Sequence, residues 1–189
     1  MALSSIALCS RALLKIGASA IASFDEGTAE AEVAANLYPS IRDALLSSHP
    51  WNFATGQTSL ARLTATPVAD YDHAFQLPGD FLRALSAGVT GRGRGLDYRI
   101  AENRLHSNAQ TVVLTYVFRP LEADFPPFFD AALIARLSAE FCAPITESTA
   151  RAELLFRLAE DEFRRAKLID GQQDTPSSID SFPLVDVRS

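Results

Sequence analysis

Acidic pairs are the first residues of this sequence whose types and spacing could support chemistry. Adjacent acids include Asp25 with Glu26 and Asp161 with Glu162. Glycoside hydrolysis needs two carboxylates that flank the scissile bond in a cleft. Neighbouring positions on a helix point about 100° apart, and Asp161 and Glu162 also suit a solvated helix face near Arg165. The pattern favours surface positions, with glycoside hydrolysis as the alternative.

A glycine-arginine run is the second candidate. Residues 91–95 read GRGRG, so Arg92 and Arg94 alternate with glycines that permit the positive φ angles of a hairpin tip. The run lacks the Lys-Ser/Thr ending and the following helix of a phosphate-binding loop. Exposed arginines can form bidentate contacts with carboxylates or phosphates. We expect the tip to project and its two arginines to contact a neighbouring protein or DNA, the alternative being a solvated turn.

Metal, cofactor and nucleophile motifs do not occur in the sequence. The histidines at positions 49, 73 and 106 are isolated, and HExxH, CxxC, GxSxG, Walker and dinucleotide-binding patterns are all missing. Cys9 and Cys142 lie among apolar residues, where reduced thiols behave as small buried hydrophobes. The sequence therefore predicts no catalytic residues, no metal and no cofactor, and we expect a protein that is not an enzyme.

Composition and charge limit the class of protein. The chain has 189 residues, 48% hydrophobic and 21% charged, which is typical of one globular domain. A net charge of −6 disfavours a free-standing DNA-binding module. Arginine outnumbers lysine 15 to 2, as protein interfaces or a GC-rich genome would each produce. Arg11 and Lys15 interrupt the apolar N-terminal segment, and no stretch reaches about 18 apolar residues, so we expect neither secretion nor a membrane span.

Apolar periodicity predicts the elements that must position these residues. Spacings of three and four predict helices over residues 2–18, 28–47, 127–143 and 147–168. Pro39 predicts a kink or a short break at residues 35–38, and Pro144 should end or bend the third helix.

The middle of the chain loses helical periodicity. Residues 55–119 read as a β-rich hairpin insertion, with its clearest strand at 111–119 and partner strands at 83–90 and 96–100. Trp51 should lock the insertion to the helices through its buried area. The fold class is therefore α+β, a mainly helical bundle of about four helices in a single domain over residues 1–170, followed by an extended tail at 171–189.

Six phrases of the sequence, taken in order, resemble one family of proteins. They are ALLKIG at 12–17, IASFDEGT at 21–28, ANLYPSIRD at 35–43, LLSSHPWNFA at 45–54, FQLPGDFLR at 75–83 and AEFCAPITES at 139–148. By their order and spacing over residues 5–168, the chain resembles the tail tubular protein A family of short-tailed bacteriophages. It is likewise similar to the related head-to-tail adaptors of tailed phages and gene transfer agents.

The resemblance implies a structural role at the head-tail junction of a virion. Members of the family form a dodecameric ring beneath the portal, which seals the packaged capsid, lines the DNA channel and receives a stopper or the tail tube. The implied partners are the portal protein, the next tail component and further copies of this chain, while packaged DNA passes through without specific contact. Assembly would take place in the bacterial cytoplasm, with no membrane involved.

The acidic C-terminal tail departs from the family pattern. Its last part is apolar at alternating positions, and such a segment can add as a strand to an exposed sheet edge. We expect the tail to bind the portal, the alternative being an uninvolved terminus. The expected contact residues are Phe182, Leu184, Val185 and Val187.

Two functions from other classes remain as alternatives. A peptidoglycan-degrading tail component would need Asp25 and Glu26, or another carboxylate pair, to face a cleft. A DNA-end-binding module would use Arg92 and Arg94.

Overall fold

Four α-helices form the larger part of the chain in the computed structural model, which describes residues 3–173. They are α1 (Ser5–Lys15), α2 (Ala29–Ser48), α3 (Pro127–Thr146) and α4 (Thr149–Gly171). The side chains of Ser4, Thr28 and Ser148 accept hydrogen bonds from the first turns of α1, α2 and α4. Such caps satisfy N–H groups that have no partner within a helix, and they fix where each helix begins.

Six β-strands lie between α2 and α3 and form two three-stranded antiparallel sheets. In chain order they are β1 (Thr55–Ser59), β2 (His73–Gln76), β3 (Phe81–Gly88), β4 (Arg99–Ala101), β5 (Arg104–Ser107) and β6 (Val113–Phe118). The first sheet has the order β1-β6-β3 and the second β2-β5-β4. The predicted α+β class, with about four helices and a β-rich middle, is confirmed.

Several predicted boundaries need correction. The short break at residues 35–38 is not formed, because α2 is continuous through Pro39. Buried residues of α2 lie on both sides of Pro39, namely Ala34, Tyr38 and Leu46. Tertiary packing of this kind outweighs one lost backbone hydrogen bond. The third helix continues past Pro144 to Thr146, where Glu147 adopts a left-handed φ of 56° and ends it.

The predicted strand partners are right for one strand and wrong for the other. Strand β3 pairs with β6, as expected of residues 83–90 and 111–119. The segment expected at 96–100 instead contributes β4, which pairs with β5 in the second sheet. The β4–β5 hairpin turns at Glu102 and Asn103, both with positive φ. Because β4 pairs with β5 in this hairpin, β4 belongs to the second sheet and not to the first.

The main core lies among the helices and reaches the first sheet through Val117. Helix α3 is its centre, and α1, α2 and α4 all pack against it. Ser138 is a buried polar residue of α3, and its hydroxyl lies within hydrogen-bond distance of the Ala12 carbonyl at 3.2 Å and the Ile134 carbonyl at 2.7 Å. A second, smaller apolar cluster, which includes Phe75, Leu105 and Leu114, fills the space between the two sheets.

Trp51 occupies the joint between the helices and the insertion. Its indole is fully buried, and Nε1 donates a hydrogen bond to the Leu45 carbonyl at 3.1 Å. The ring contacts aromatic side chains from several elements, with centroid distances between 4.8 and 6.3 Å, namely His49, Phe53, Phe128, Phe129 and Phe163. Edge-to-face pairs of this kind add stability beyond the buried area. The predicted packing role of Trp51 agrees with this environment.

A charged network joins α2 to the other end of the insertion. Arg42 donates to Asp43 and to Glu122, both at 2.9 Å. Arg119, directly after β6, forms a bidentate pair with Asp43 at 3.0 and 2.6 Å. Tyr38 also donates to Glu122, at 3.0 Å. The insertion is thus fixed to α2 where it enters and where it leaves.

Replacement of Trp51 tests this joint. Trp51→Ala should lower the free energy of unfolding by about 3–5 kcal/mol, because burial is lost and a cavity remains. Trp51→Phe is the control. It keeps an aromatic ring while losing the donor to Leu45 and part of the buried volume, so it should cost less than Trp51→Ala. Urea unfolding followed by circular dichroism measures both variants. An unchanged midpoint for Trp51→Ala would contradict the packing role.

Candidate interaction surfaces

The glycine-arginine turn folds back onto the first sheet. A Cβ on Gly88 would lie 1.8 Å from the Arg92 carbonyl oxygen, so only glycine allows the chain to cross here. The carbonyl of Gly93 accepts a hydrogen bond from the Ser86 hydroxyl at 2.8 Å. The expected projecting tip is therefore wrong in its geometry, because these contacts hold the turn down. Both Arg92 and Arg94 are nevertheless exposed, as their proposed contacts require.

The acidic pair in the loop before α2 stabilises that loop. Glu26 accepts hydrogen bonds from the Ala22 N–H at 2.9 Å, the Thr28 hydroxyl at 2.9 Å and the Ser23 N–H at 3.3 Å. These bonds, that of Ala22 first, lower the pKa of Glu26 below its usual value. A general acid for glycoside hydrolysis requires a raised pKa, so Glu26 lacks that property. Asp25 beside it is exposed.

The acidic pair on α4 lies on the exposed side of that helix. Asp161 pairs with Arg164, and Glu162 pairs with Arg165 at 2.8 Å. The spacing is three residues, whereas the sequence analysis placed Arg165 near both acids. The structure therefore places these carboxylates in surface ion pairs rather than facing one another across a cleft.

The predicted portal-binding side chains lie outside the described residues. These are Phe182, Leu184, Val185 and Val187.

A polar clasp around the buried Asp170, which the sequence analysis missed, holds the end of α4. Asp170 is 1% exposed, and its carboxylate accepts the Asn52 N–H at 3.2 and 3.1 Å. The Asn52 side chain donates back to the Asp170 carbonyl at 2.8 Å. His49 Nε2 lies 3.7 Å from the same carboxylate. We call Asp170, Asn52 and His49 the clasp.

Burial governs the protonation of the clasp. Burial raises the pKa of Asp170, against the opposing effect of the Asn52 N–H, and it lowers the pKa of His49. Lys167 and Arg83 also lower the pKa of His49, while Asp170 opposes them. The clasp therefore depends on hydrogen bonds more than on an ion pair at neutral pH.

An open, mainly apolar groove lies between three helices. It has a volume of about 480 Å³ and runs between α2, α3 and α4. Its apolar lining consists of Leu37, Ile41, Ala44, Leu45, Ala132, Ala159 and Phe163. On its rim, Arg136 lies 2.7 Å from Glu140 and 3.7 Å from Glu160. We call this feature the α2–α3–α4 groove.

A second cavity contains a carboxylate with an unpartnered oxygen. It lies between α1 and α3 and is lined by Arg11, Lys15 and Asp130, among others. Asp130 Oδ1 is buried and has no hydrogen-bond partner within residues 3–173. Burial raises the pKa of Asp130 to about 6, although Arg11 acts in the opposite direction.

Comparison with models of known protein families and with curated proteins gives no match for this chain. Within residues 3–173, no group of three or more His, Cys, Asp or Glu side chains could hold a metal ion. No helix in that same part of the chain is long and apolar enough to cross a membrane.

The raised pKa of Asp130 makes stability depend on pH. Its value lies near 3.8 in the unfolded chain and at about 6 in the folded chain, so the ionised carboxylate destabilises the fold. This penalty grows from about pH 4 to about pH 6 and persists above it. Asp130→Asn should therefore stabilise the protein at pH 8 by about 1 kcal/mol, a value reduced for solvent screening.

Urea unfolding of Asp130→Asn and the unchanged protein at pH 8 and at pH 4 measures this effect. The difference between the two proteins should be much smaller at pH 4, where Asp130 is protonated in the folded state and partly protonated in the unfolded state. An equal difference at both pH values would contradict the pKa assignment.

Proposed function

We propose that this chain is a head-to-tail adaptor of a tailed phage or gene transfer agent particle. Twelve copies would form a ring beneath the portal that joins the capsid to the tail and lines the DNA channel. The observation that carries the proposal is where the six family-like phrases fall in the fold. They include helix ends and residues that hold the β-rich insertion to α2.

Two of these phrases lie at the ends of helices. Residues 45–54 include Leu45 and Trp51. A hydrogen bond from the Trp51 indole to the Leu45 carbonyl joins these two residues at the end of α2. Residues 139–148 contain the last turn of α3, the left-handed Glu147 and the cap Ser148 of α4. These positions determine how one helix leads into the next element.

Two further phrases contribute polar contacts between elements. Residues 35–43 supply Arg42 and Asp43 to the network that fixes the insertion to α2. Residues 75–83 include Asp80, whose carbonyl accepts the Arg119 N–H at 2.9 Å. Its carboxylate also accepts the Tyr116 hydroxyl at 3.3 Å. These two phrases therefore include one set of contacts that holds the insertion to α2 and one set within the insertion.

Exposed leucines support contacts between copies. Leu154, Leu158 and Leu168 on α4 are 50 to 70% exposed, while Leu14 on α1 and Leu121 before α3 are 59 and 71% exposed. A closed ring requires a heterologous interface, in which one patch docks on a different patch of the next copy. Exposed leucines on separate elements suit this requirement.

Native mass spectrometry with the portal protein of the same particle tests the proposal. The full chain alone should be a monomer or a weak oligomer, and twelve copies should join the portal. A chain ending at Gln173 keeps the clasp and removes Phe182 to Val187, so it should lose portal binding. Absence of any complex between the full chain and the portal would overturn the adaptor role. A stable dodecamer without portal would overturn the prediction that the ring forms only on the portal.

The exposed arginines of the turn should act after ring formation. Arg92→Ala with Arg94→Ala should leave the ring on the portal intact while attachment of the next tail component fails, because bidentate contacts are lost. The matched control is Arg62→Ala with Arg99→Ala, which removes two exposed arginines elsewhere in the insertion. Electron microscopy counts joined particles for each variant. Normal attachment in the Arg92 and Arg94 variant would contradict the contact role of these arginines. The alternative, a solvated turn, would then stand.

A further inference from the structure

We propose that the α2–α3–α4 groove is a docking site for residues 182–188 of the same chain. The groove surface suits an apolar occupant. Ser40 and Ser48 line it, yet their hydroxyls donate to carbonyls of their own helix, Leu37 at 2.9 Å and Leu45 at 2.7 Å. These two hydroxyls therefore already have hydrogen-bond partners on the wall of the groove.

The clasp brings the start of the C-terminal segment to one end of the groove. Asp170 lies in the last turn of α4 and bonds to Asn52. His49, 3.7 Å from Asp170, directly follows Ser48, which lines the groove. The chain therefore leaves the described residues beside the groove end formed by Ser48.

The length of the segment matches the distance it must cover. Phe182 lies nine positions after Gln173 in the sequence, and an extended chain of that length can span about 30 Å. From Ser48 to Leu37 the groove follows eleven residues of α2, which is about 16 Å. Residues 182–187 in extended form cover about 17 Å. The segment can thus reach the groove and fill its length.

The chemistry of the segment also fits the groove and its rim. Phe182, Leu184, Val185 and Val187 supply the apolar side chains, and Arg188 is the one cation of residues 174–189. The rim combines Arg136 with Glu140 and Glu160. In the docked segment, Asp186 would pair with Arg136, and Arg188 would pair with the two carboxylates. Side chains would make these contacts, so Pro183, which lacks an N–H, is compatible with docking.

This docking goes beyond the adaptor role and does not rest on it, since it needs neither portal nor ring. The segment also carries the residues proposed for portal binding. A chain cannot place the same side chains in its own groove and on a partner, so the two sites would compete.

Disulfide trapping in the full chain tests the docking. The variant carries Ala44→Cys, at an exposed position of the groove, with Leu184→Cys. The control carries Ala35→Cys with Leu184→Cys. Ala35 is exposed on the same helix, and it lies on the side of that helix opposite to Ala44. The native Cys9 and Cys142 are buried, and burial raises the pKa of Cys9 to about 12, which keeps it unreactive.

The groove variant should form its disulfide at least about tenfold faster than the control, in a product with the mass of one chain, because docking raises the effective concentration. Adding Arg188→Glu to the groove variant should slow the reaction, since it replaces attraction to Glu140 and Glu160 by repulsion. Circular dichroism verifies that every variant is folded. Equal rates in the two cysteine pairs would overturn the proposal, and so would a product with the mass of two chains. Neither result would bear on the adaptor role, which the portal experiment tests separately.

Discussion

The indole of Trp51 has to be enclosed, and most of the architecture around the joint follows from that requirement. Full enclosure takes side chains from several elements at once, among them Phe53, Phe129 and Phe163. Helices α3 and α4 must therefore approach the end of α2 closely. The chain must also pass next to both helices on its way into β1. The hydrogen bond to Leu45 fixes the rotation of the ring. Because the interior is closely packed, a shift of any one of these elements would open a void around the indole.

Periodicity identifies the four helices and the β-rich middle because it reports which side chains face an interior. It cannot report interactions that depend on distant partners. Pro39 is accommodated in α2 by packing that only the folded chain provides. The β4–β5 hairpin turns at Glu102 and Asn103 with positive φ, a turn that sequences usually mark with Asn-Gly. Without that mark, the sequence pattern places residues 96–100 in the wrong sheet.

The candidate surfaces are less predictable than the fold. The exposure of Arg92 and Arg94 follows from their charge, but Gly88 and Gly93 hold their turn against the sheet through backbone contacts that composition does not encode. An apolar stripe on a helix indicates a face that prefers burial, and it does not indicate whether neighbouring helices cover that face completely. For this reason the α2–α3–α4 groove is visible only in the structure. Asp170 borders the tail in the sequence, whereas its carboxylate is buried in the fold.

The clasp also has a consequence for the order in which the protein folds. Asn52 and Asp170 are 118 residues apart, so their contact closes a very long loop and costs chain entropy before it stabilises the fold. The α3–α4 pair needs no such closure, since only Glu147 and Ser148 separate the two helices. Local pairs form early and distant ones late, which places the helical hairpin before the clasp on the folding pathway. The sheets, which lie inside the closed loop, reduce the span that remains to be bridged once they have formed. We therefore expect the meeting of Asn52 and Asp170 to be one of the slower steps of folding.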